Sequence, residues 1–357
     1  MTHLELFSGI GGFRRAMDLL THDNIMPFEC VGYSEIDRNA QRTYNVNYDT
    51  EGEVVLGDIV EFTADLARIQ ALPHFDLLTG GFPCQTFSVM GEQAGFEEDR
   101  GQMFFRIMDI IHVHHPRYVL LENVKNLYRH DNGNTYARIQ HELEEEGYHV
   151  FPNIFNTADF HLPQKRSRVL IFATLENVPA DFQEQYTPEN VAALFDMNLA
   201  DLSVSHYNST LDVLARNVDA KYFLSERLKP TILANGSANF NARSDINQRI
   251  ARTLTASMHK MHRACQDNYY SQDFIESNGE VDHVQDYTKE QLAQLPIRKL
   301  TPQEAFMLQG FPAEFATNAQ NAGVSNGALY KQAGNAVSVN TIYAVLYYLI
   351  ENHIIHE

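Results

Sequence analysis

The first half of the chain alternates short apolar runs with helical patterns, and no other feature confines the fold as tightly. Leu4-Glu5-Leu6-Phe7 predicts a first strand, followed by a Gly-rich turn and a helix to about Leu20. Glu29–Tyr33 predicts a second strand, Val54–Leu56 a short third, Phe75–Thr79 a fourth and Tyr118–Leu121 a fifth. A helix from about Gln102 to His114 precedes the fifth, and a later pair near Tyr148–Asn153 and Val169–Ala173 completes the sheet. The expected fold class is α/β, a doubly wound and mostly parallel sheet.

From about Asn177 to Leu295 that alternation is lost, and polar stretches such as Asn235-Gly236-Ser237-Ala238-Asn239 read as loops. So long a segment is not one loop of a compact domain. A second, smaller domain with its connecting segment is expected over 177–319, with 1–176 and 320–357 forming the first. The apolar helical pattern from Asn335 to Ile350 would return the chain to that first domain. A length of 357 residues accommodates both.

No run approaches eighteen uninterrupted apolar residues, so no membrane span is expected. Met1 to Phe7 runs straight into the first strand pattern without a basic or apolar leader, which makes the cytoplasm the expected compartment. The three cysteines, Cys30, Cys84 and Cys265, include no CxxC pair, which favours neither a metal site nor a disulfide framework. One of them is free to act as a nucleophile or as a small buried hydrophobe.

A formal charge of −19 weighs against a nucleic-acid substrate when taken over the whole chain. Phosphate binding needs only a local basic surface, however. Lys221, Arg227, Lys229, Arg243, Arg249, Arg252, Lys260 and Arg263 crowd one stretch, opposed there by Glu226 and Asp245. The plainer reading of such a stretch is a solvated face.

Several short segments carry chemistry. Phe7-Ser8-Gly9-Ile10-Gly11-Gly12 follows the first strand, where glycines let the backbone approach a ligand at a helix N-terminus. A tight turn with no ligand fits the same residues. If a nucleoside sits there, Glu35 after the second strand is placed to hold ribose hydroxyls, and Asp58 after the third to accept from an adenine amine. Gly80-Gly81-Phe82-Pro83-Cys84-Gln85 follows the fourth strand, so Cys84 falls at the carboxyl edge where open α/β sheets bind ligands. The polar stretch from Thr86 to Gly101 has the glycine spacing of a lid. Glu122 ends the fifth strand and can reach the same pocket, although a helix-capping acid is the equal alternative. Gln164-Lys165-Arg166-Ser167-Arg168 enters a later strand, and alternation would put both guanidinium groups on one face. Such a fork can bind a phosphate or carbonyl oxygen and orient a carboxylate; an ordinary basic strand start is the bland alternative.

Together these segments resemble the bacterial-type DNA (cytosine-5) methyltransferase family. The resemblance extends to Arg298-Lys299-Leu300-Thr301-Pro302-Gln303-Glu304, Leu308-Gln309-Gly310-Phe311-Pro312 and Gln332-Ala333-Gly334-Asn335-Ala336-Val337, all in the family's unpermuted order. Ala251-Arg252-Thr253-Leu254-Thr255 is similar to the Thr-Leu pair of that family's variable target-recognition region. Glu5 stands where the family more often has Asp.

The resemblance implies a Rossmann-like methyltransferase domain and S-adenosylmethionine as cofactor. It implies duplex DNA as partner, no metal, a monomeric enzyme, and location in the bacterial cytoplasm with the nucleoid. A cognate restriction endonuclease would share a restriction-modification system with it, unless the chain is an orphan modification enzyme. In this reading Cys84 adds to cytosine C6, Glu122 contacts N3 and the exocyclic amine, Arg168 binds O2, and Arg166 orients Glu122 and a phosphate. Cofactor contacts would come from Phe7, Gly9, Ile10, Gly11, Gly12, Glu35, Ile36, Asp58, Ile59, Pro83, Met103, Asn335 and Ala336. DNA contacts would come from Gln85, Ser88, Met90 as an apolar wedge, Arg100, Arg243, Arg249, Arg252, Thr253, Lys260 and Arg263.

Three readings compete with it. A tRNA cytosine-5 methyltransferase shares the fold, but its Cys-Phe-Thr tripeptide does not occur here. An inactive relative that only binds DNA would not need Cys84, Glu122 and Arg168 together. A nicotinamide-dependent oxidoreductase would need a dinucleotide turn that the sequence lacks.

Overall fold

A computed structural model of the chain describes residues 1–83, 103–236, 242–260 and 262–357. Cys84, Gln85, Ser88, Met90, Arg100 and the lid expected over 86–101 lie outside the described residues.

The strands are β1 (Thr2–Leu6), β2 (Glu29–Tyr33), β3 (Val54–Val55), β4 (Leu77–Gly81), β5 (Tyr118–Val124), β6 (His149–Asn156), β7 (Gln164–Lys165), β8 (Ser167–Thr174), β9 (Ala251–Arg252), β10 (Tyr269–Ser271) and β11 (Ile297–Lys299). Seven of them form one sheet in the order 3-2-1-4-5-8-6. Pairs β1–β2, β1–β4, β2–β3 and β4–β5 are parallel, whereas β8 runs antiparallel to both neighbours, β5 and β6. The sheet is therefore mostly parallel and doubly wound, as the alternation predicts.

Central strand β5 opens on a continuous apolar run because both of its faces are covered there. Tyr118, Val119, Leu120 and Leu121 are all fully buried. One core cluster joins Leu4, Leu6, Leu78, Val119, Leu121 and Ile171 of the sheet to Phe62, Ile107, Ile111 and Ile139 of flanking helices. Full burial of one such leucine or isoleucine stabilises the fold by about 1.5–3 kcal/mol. Helix α1 (Gly12–His22) buries Phe13, Ala16, Met17 and Leu20, the three-and-four spacing of one helical face.

The chain divides into two compact units, 1–156 with 167–204 and 341–357, and 157–166 with 205–340. These limits run differently from those read off the sequence. Residues 177–204 stay with the sheet unit because helix Pro188–Asn198 buries Val191 and Phe195, and the Phe195 ring meets Tyr343 at 6.2 Å. Residues 157–166 join the second unit because β7 pairs with β9. That unit also holds the antiparallel ribbon β10–β11 and a small core of Leu224, Ile232, Leu233, Ile246, Leu292 and Ile297. The stretch Asn326–Glu351 has the length and hydropathy of a membrane span, yet 94% of its most apolar window is buried within the protein, as in a core helix.

Candidate active site

Parallel strands deliver their carboxyl ends to one sheet edge, and two of those ends matter here. In β4–β5, Gly81 lies opposite Glu122, so Glu122 sits level with the turn that continues through Phe82 and Pro83 toward Cys84. The neighbouring residue Asn123 is 2% exposed, and its side-chain amide donates to the Phe82 carbonyl at 2.9 Å. This bond ties the turn to the end of β5, a role that the sequence reading did not give Asn123.

Because β8 is antiparallel, its beginning and not its end reaches the same edge. Val124 pairs with Arg168. Directly opposed residues share a face, and so do residues two apart on one strand. Arg168 is thus the diagonal neighbour of Glu122, and its Nε lies 2.9 Å from Glu122 Oε1. Both side chains are largely shielded from solvent, at 19% and 11% exposure, where a charge-assisted pair fixes carboxylate orientation strongly.

Arg166 departs from the expected strand fork. It lies in the break between β7 and β8, so the two arginines do not alternate along one strand. At 2% exposure, its guanidinium donates to the carbonyls of Leu254 at 3.1 Å, Gly334 at 3.2 Å and Ala336 at 2.8 Å. Gln164 is fully buried beside it, accepting from the Leu254 N–H at 2.9 Å and donating to the Leu308 carbonyl at 2.9 Å. Gly334 is itself required by this packing, since a Cβ there would occupy the Thr255–Ala256 peptide. Asn335 is exposed and Ala336 buried at the end of the same helix.

The turn after β1 has the backbone that its glycines predict. Gly9 and Gly11 take φ of 58° and 79°, in the left-handed region that glycine tolerates, and Phe7 joins them at 54°. Tyr48 closes over Gly11, donating to its carbonyl at 2.6 Å. Gly9, in contrast, has open space where a side chain would begin. Ile10, Gly11 and Gly12 are buried. Glu35 Oε2 accepts from the Gly9 N–H at 2.8 Å and Oε1 from the Asp37 N–H at 2.7 Å, so the acid and the glycine turn form one cradle. Burial pushes the Glu35 carboxyl upward, countered by hydrogen bonds from the Asp37, Gly9 and Ile36 N–H groups. Ile36 beside it is 70% exposed, an apolar surface open to a ligand. Asp58 caps helix Ile59–Thr63, accepting from the Val60 N–H at 2.9 Å, with Ile59 buried behind it. Pro83 is exposed, and Met103 opens helix Met103–His114.

Within β1, Glu5 is fully buried. Its Oε2 accepts from Tyr44 at 3.2 Å, while Oε1 has no hydrogen-bond partner. Burial pushes its carboxyl up to about 8, against the opposing pull of Arg14. Cys30 is also buried, and burial pushes its thiol up to about 12, leaving a neutral and unreactive sulfur.

In the second unit the basic residues expected at DNA are engaged to different degrees. Arg263 pairs with Asp267 at 3.2 Å and reaches Thr255 Oγ1 at 2.5 Å. Arg252 donates to the carbonyls of Asp267 and Arg243, both at 3.4 Å, and Arg249 to that of Gly279 at 2.9 Å. Thr253 Oγ1 donates to the Lys165 carbonyl at 2.5 Å. Arg243 and Lys260 are exposed. Among the described residues no group of three or more metal-ligating side chains is present.

Comparison with known proteins agrees with this architecture. Residues 1–351 match the family described as C-5 cytosine-specific DNA methylase. The Type II methyltransferase M.DsaV of Dactylococcopsis salina is 34% identical over 96% of this chain and 84% of its own length. The orphan methyltransferase M.SPRI of Bacillus phage SPR is 26% identical over 99% of this chain and 98% of its own. In fold, the crystal structure of the S. pombe Dnmt2 methyltransferase superposes with a TM-score of 0.71 at 21% identity, covering 98% of each chain. With the family match spanning nearly its whole length and a curated relative above 30% identity, the chain belongs to the C-5 cytosine-specific DNA methylase family.

Proposed function

We propose that the chain methylates C5 of cytosine within a specific duplex DNA sequence, using S-adenosylmethionine and transient addition of Cys84 to C6 of a flipped-out base. The observation that carries this reading is the Arg168–Glu122 pair, held at the sheet edge level with the turn that leads into Cys84.

Cytosine C5 is a weak nucleophile. Addition of a thiolate at C6 makes C5 enamine-like, which is covalent catalysis. Charge pushed into the ring is neutralised at N3, and Glu122 supplies that proton as a general acid. Arg168 keeps Glu122 aimed and binds O2. Loss of the C5 proton then expels the Cys84 sulfur. A stacked base is out of reach for this attack, so the base leaves the duplex at a cost of about a few kcal/mol. Gln85, Ser88, Met90 and Arg100 hold the opened duplex, with Met90 as the wedge.

The cradle of Gly9, Gly11 and Glu35, the open surface of Ile36 and the capping carboxylate of Asp58 fit a nucleoside with a ribose to be held. S-adenosylmethionine supplies an electrophilic methyl group on a sulfonium. Phe7, Ile59, Pro83 and Met103 add to its contacts. The enzyme works as a monomer in the bacterial cytoplasm, near the nucleoid. It serves a restriction-modification system beside a cognate endonuclease, or acts as an orphan enzyme.

Replacing Cys84 with Ser tests the assignment. Tritium transfer from labelled cofactor to duplex DNA should fall by more than about a hundredfold. Retention within about tenfold of the unaltered enzyme would show that Cys84 is not the nucleophile.

A further inference from the structure

In the second unit, a pocket lies beside the ribbon β10–β11, walled by Leu254, Met258, His262, Tyr269, Lys299 and Tyr330. Lys299 stands directly opposite Tyr269 in the antiparallel register, so the two side chains share a face of the ribbon. Alternation sends the preceding residue, Arg298, to the other face, where it is fully buried against Glu304. Lys299 has no such partner. Among the described residues no carboxylate lies within ion-pair distance of it, and its Nζ rests 5.0 Å from the centre of the Tyr330 ring.

The charges facing this pocket leave an imbalance. Asp267 is neutralised by Arg263, which donates through its backbone N–H at 2.9 Å and its guanidinium at 3.2 Å. His262 shares a contact with the Tyr269 hydroxyl at 3.4 Å, and burial with the nearby Lys299 charge holds its imidazole below its ordinary value. One ammonium therefore remains uncompensated, in surroundings whose burial lowers its proton affinity. A half-buried cation without a counter-charge is unfavourable unless a ligand supplies one.

We propose that this pocket takes one backbone phosphate of the bound duplex, with Lys299 as its charged donor and His262 beside it. The proposal rests on the reading of duplex DNA as substrate. Its choice of a phosphodiester follows from charge matching. A single ammonium between Leu254, Met258 and the two tyrosines suits a monoanion that stays singly charged, whereas free inorganic phosphate at neutral pH is in large part a dianion and calls for more donors than the pocket has.

Binding of a random-sequence duplex to the full chain, followed by anisotropy between about 50 and about 300 mM salt, tests this. Lys299→Gln should lower affinity several-fold at low salt and reduce the salt slope by about 0.9, one phosphate's worth, and Lys299→Arg should restore it. An unchanged slope in Lys299→Gln, with the unaltered protein still binding duplex, would overturn the pocket and leave the substrate reading intact. Loss of all duplex binding by the unaltered protein would instead overturn both. A second measurement needs no variant. Bound duplex should protect Lys299 from an amine-acetylating reagent, while inorganic phosphate at equal phosphorus concentration should not. Equal labelling with and without duplex, or equal protection by phosphate, would contradict the proposal.

Discussion

Single side chains here are tuned by what surrounds them. Glu5 is a fully buried acid in β1, with one oxygen held by Tyr44 and the other without a hydrogen-bond partner. Its carboxyl is raised from 4.5 to about 8 by burial, so the folded protein holds this proton where the unfolded chain releases it. The stability so gained is fully present below pH 4.5 and is lost as pH rises through about 8. Glu5→Gln keeps the shape without the titration. Denaturant melts from acid to mildly alkaline pH should show a flatter profile for the variant and a gain over the unaltered protein at the alkaline end. Parallel profiles would mean that Glu5 is ionised in the fold. Residue chemistry was legible in part. Glu122 and Arg168 could be named from their motifs, but their pairing depends on strand direction. Asn123 gave no signal because its function is a single hydrogen bond to the Phe82 carbonyl, set by tertiary position.

At the scale of elements, the parallel strands were readable because burial on both faces forces continuous apolar runs. Direction was not, since a run such as Val169–Ala173 reads alike both ways; only its pairing makes β8 antiparallel and brings Arg168 to the carboxyl edge. Strands β9, β10 and β11, of two or three residues each, are too short to show a period. The second unit leans instead on a buried bidentate pair. Arg298 donates to Glu304 at 2.8 and 2.9 Å, and Glu304 also accepts from the Thr301 and Ala215 N–H groups. Removing one partner strands the other charge, a loss of about 3–5 kcal/mol. Glu304→Ala should lower stability in urea by about that much; a loss under about 1 kcal/mol would show that Arg298 finds another partner.

Over the whole molecule, a charge of −19 must be reconciled with a polyanionic substrate. Much of the basic stretch near 243–263 is spent inside the second unit, where Arg249, Arg252 and Arg263 hold loops and a carboxylate. Composition cannot distinguish guanidinium groups engaged in this way from cations that face solvent. Alanine at Arg243 and Lys260 should therefore weaken duplex binding and flatten its salt dependence with little loss of stability, whereas Arg263→Glu should lower the melting temperature. Unaltered salt dependence in the first pair would move the DNA surface elsewhere. In the proposed reaction everything depends on the Cys84 sulfur bonding to C6 of the target base. Fluorine in place of the C5 hydrogen blocks the elimination that would free the enzyme. Duplex that the protein methylates, rebuilt with 5-fluorocytosine and incubated with cofactor, should yield a covalent complex whose cross-linked peptide carries the modification on Cys84. Methylation of the parent duplex with no adduct on Cys84 in the fluorinated one would contradict it.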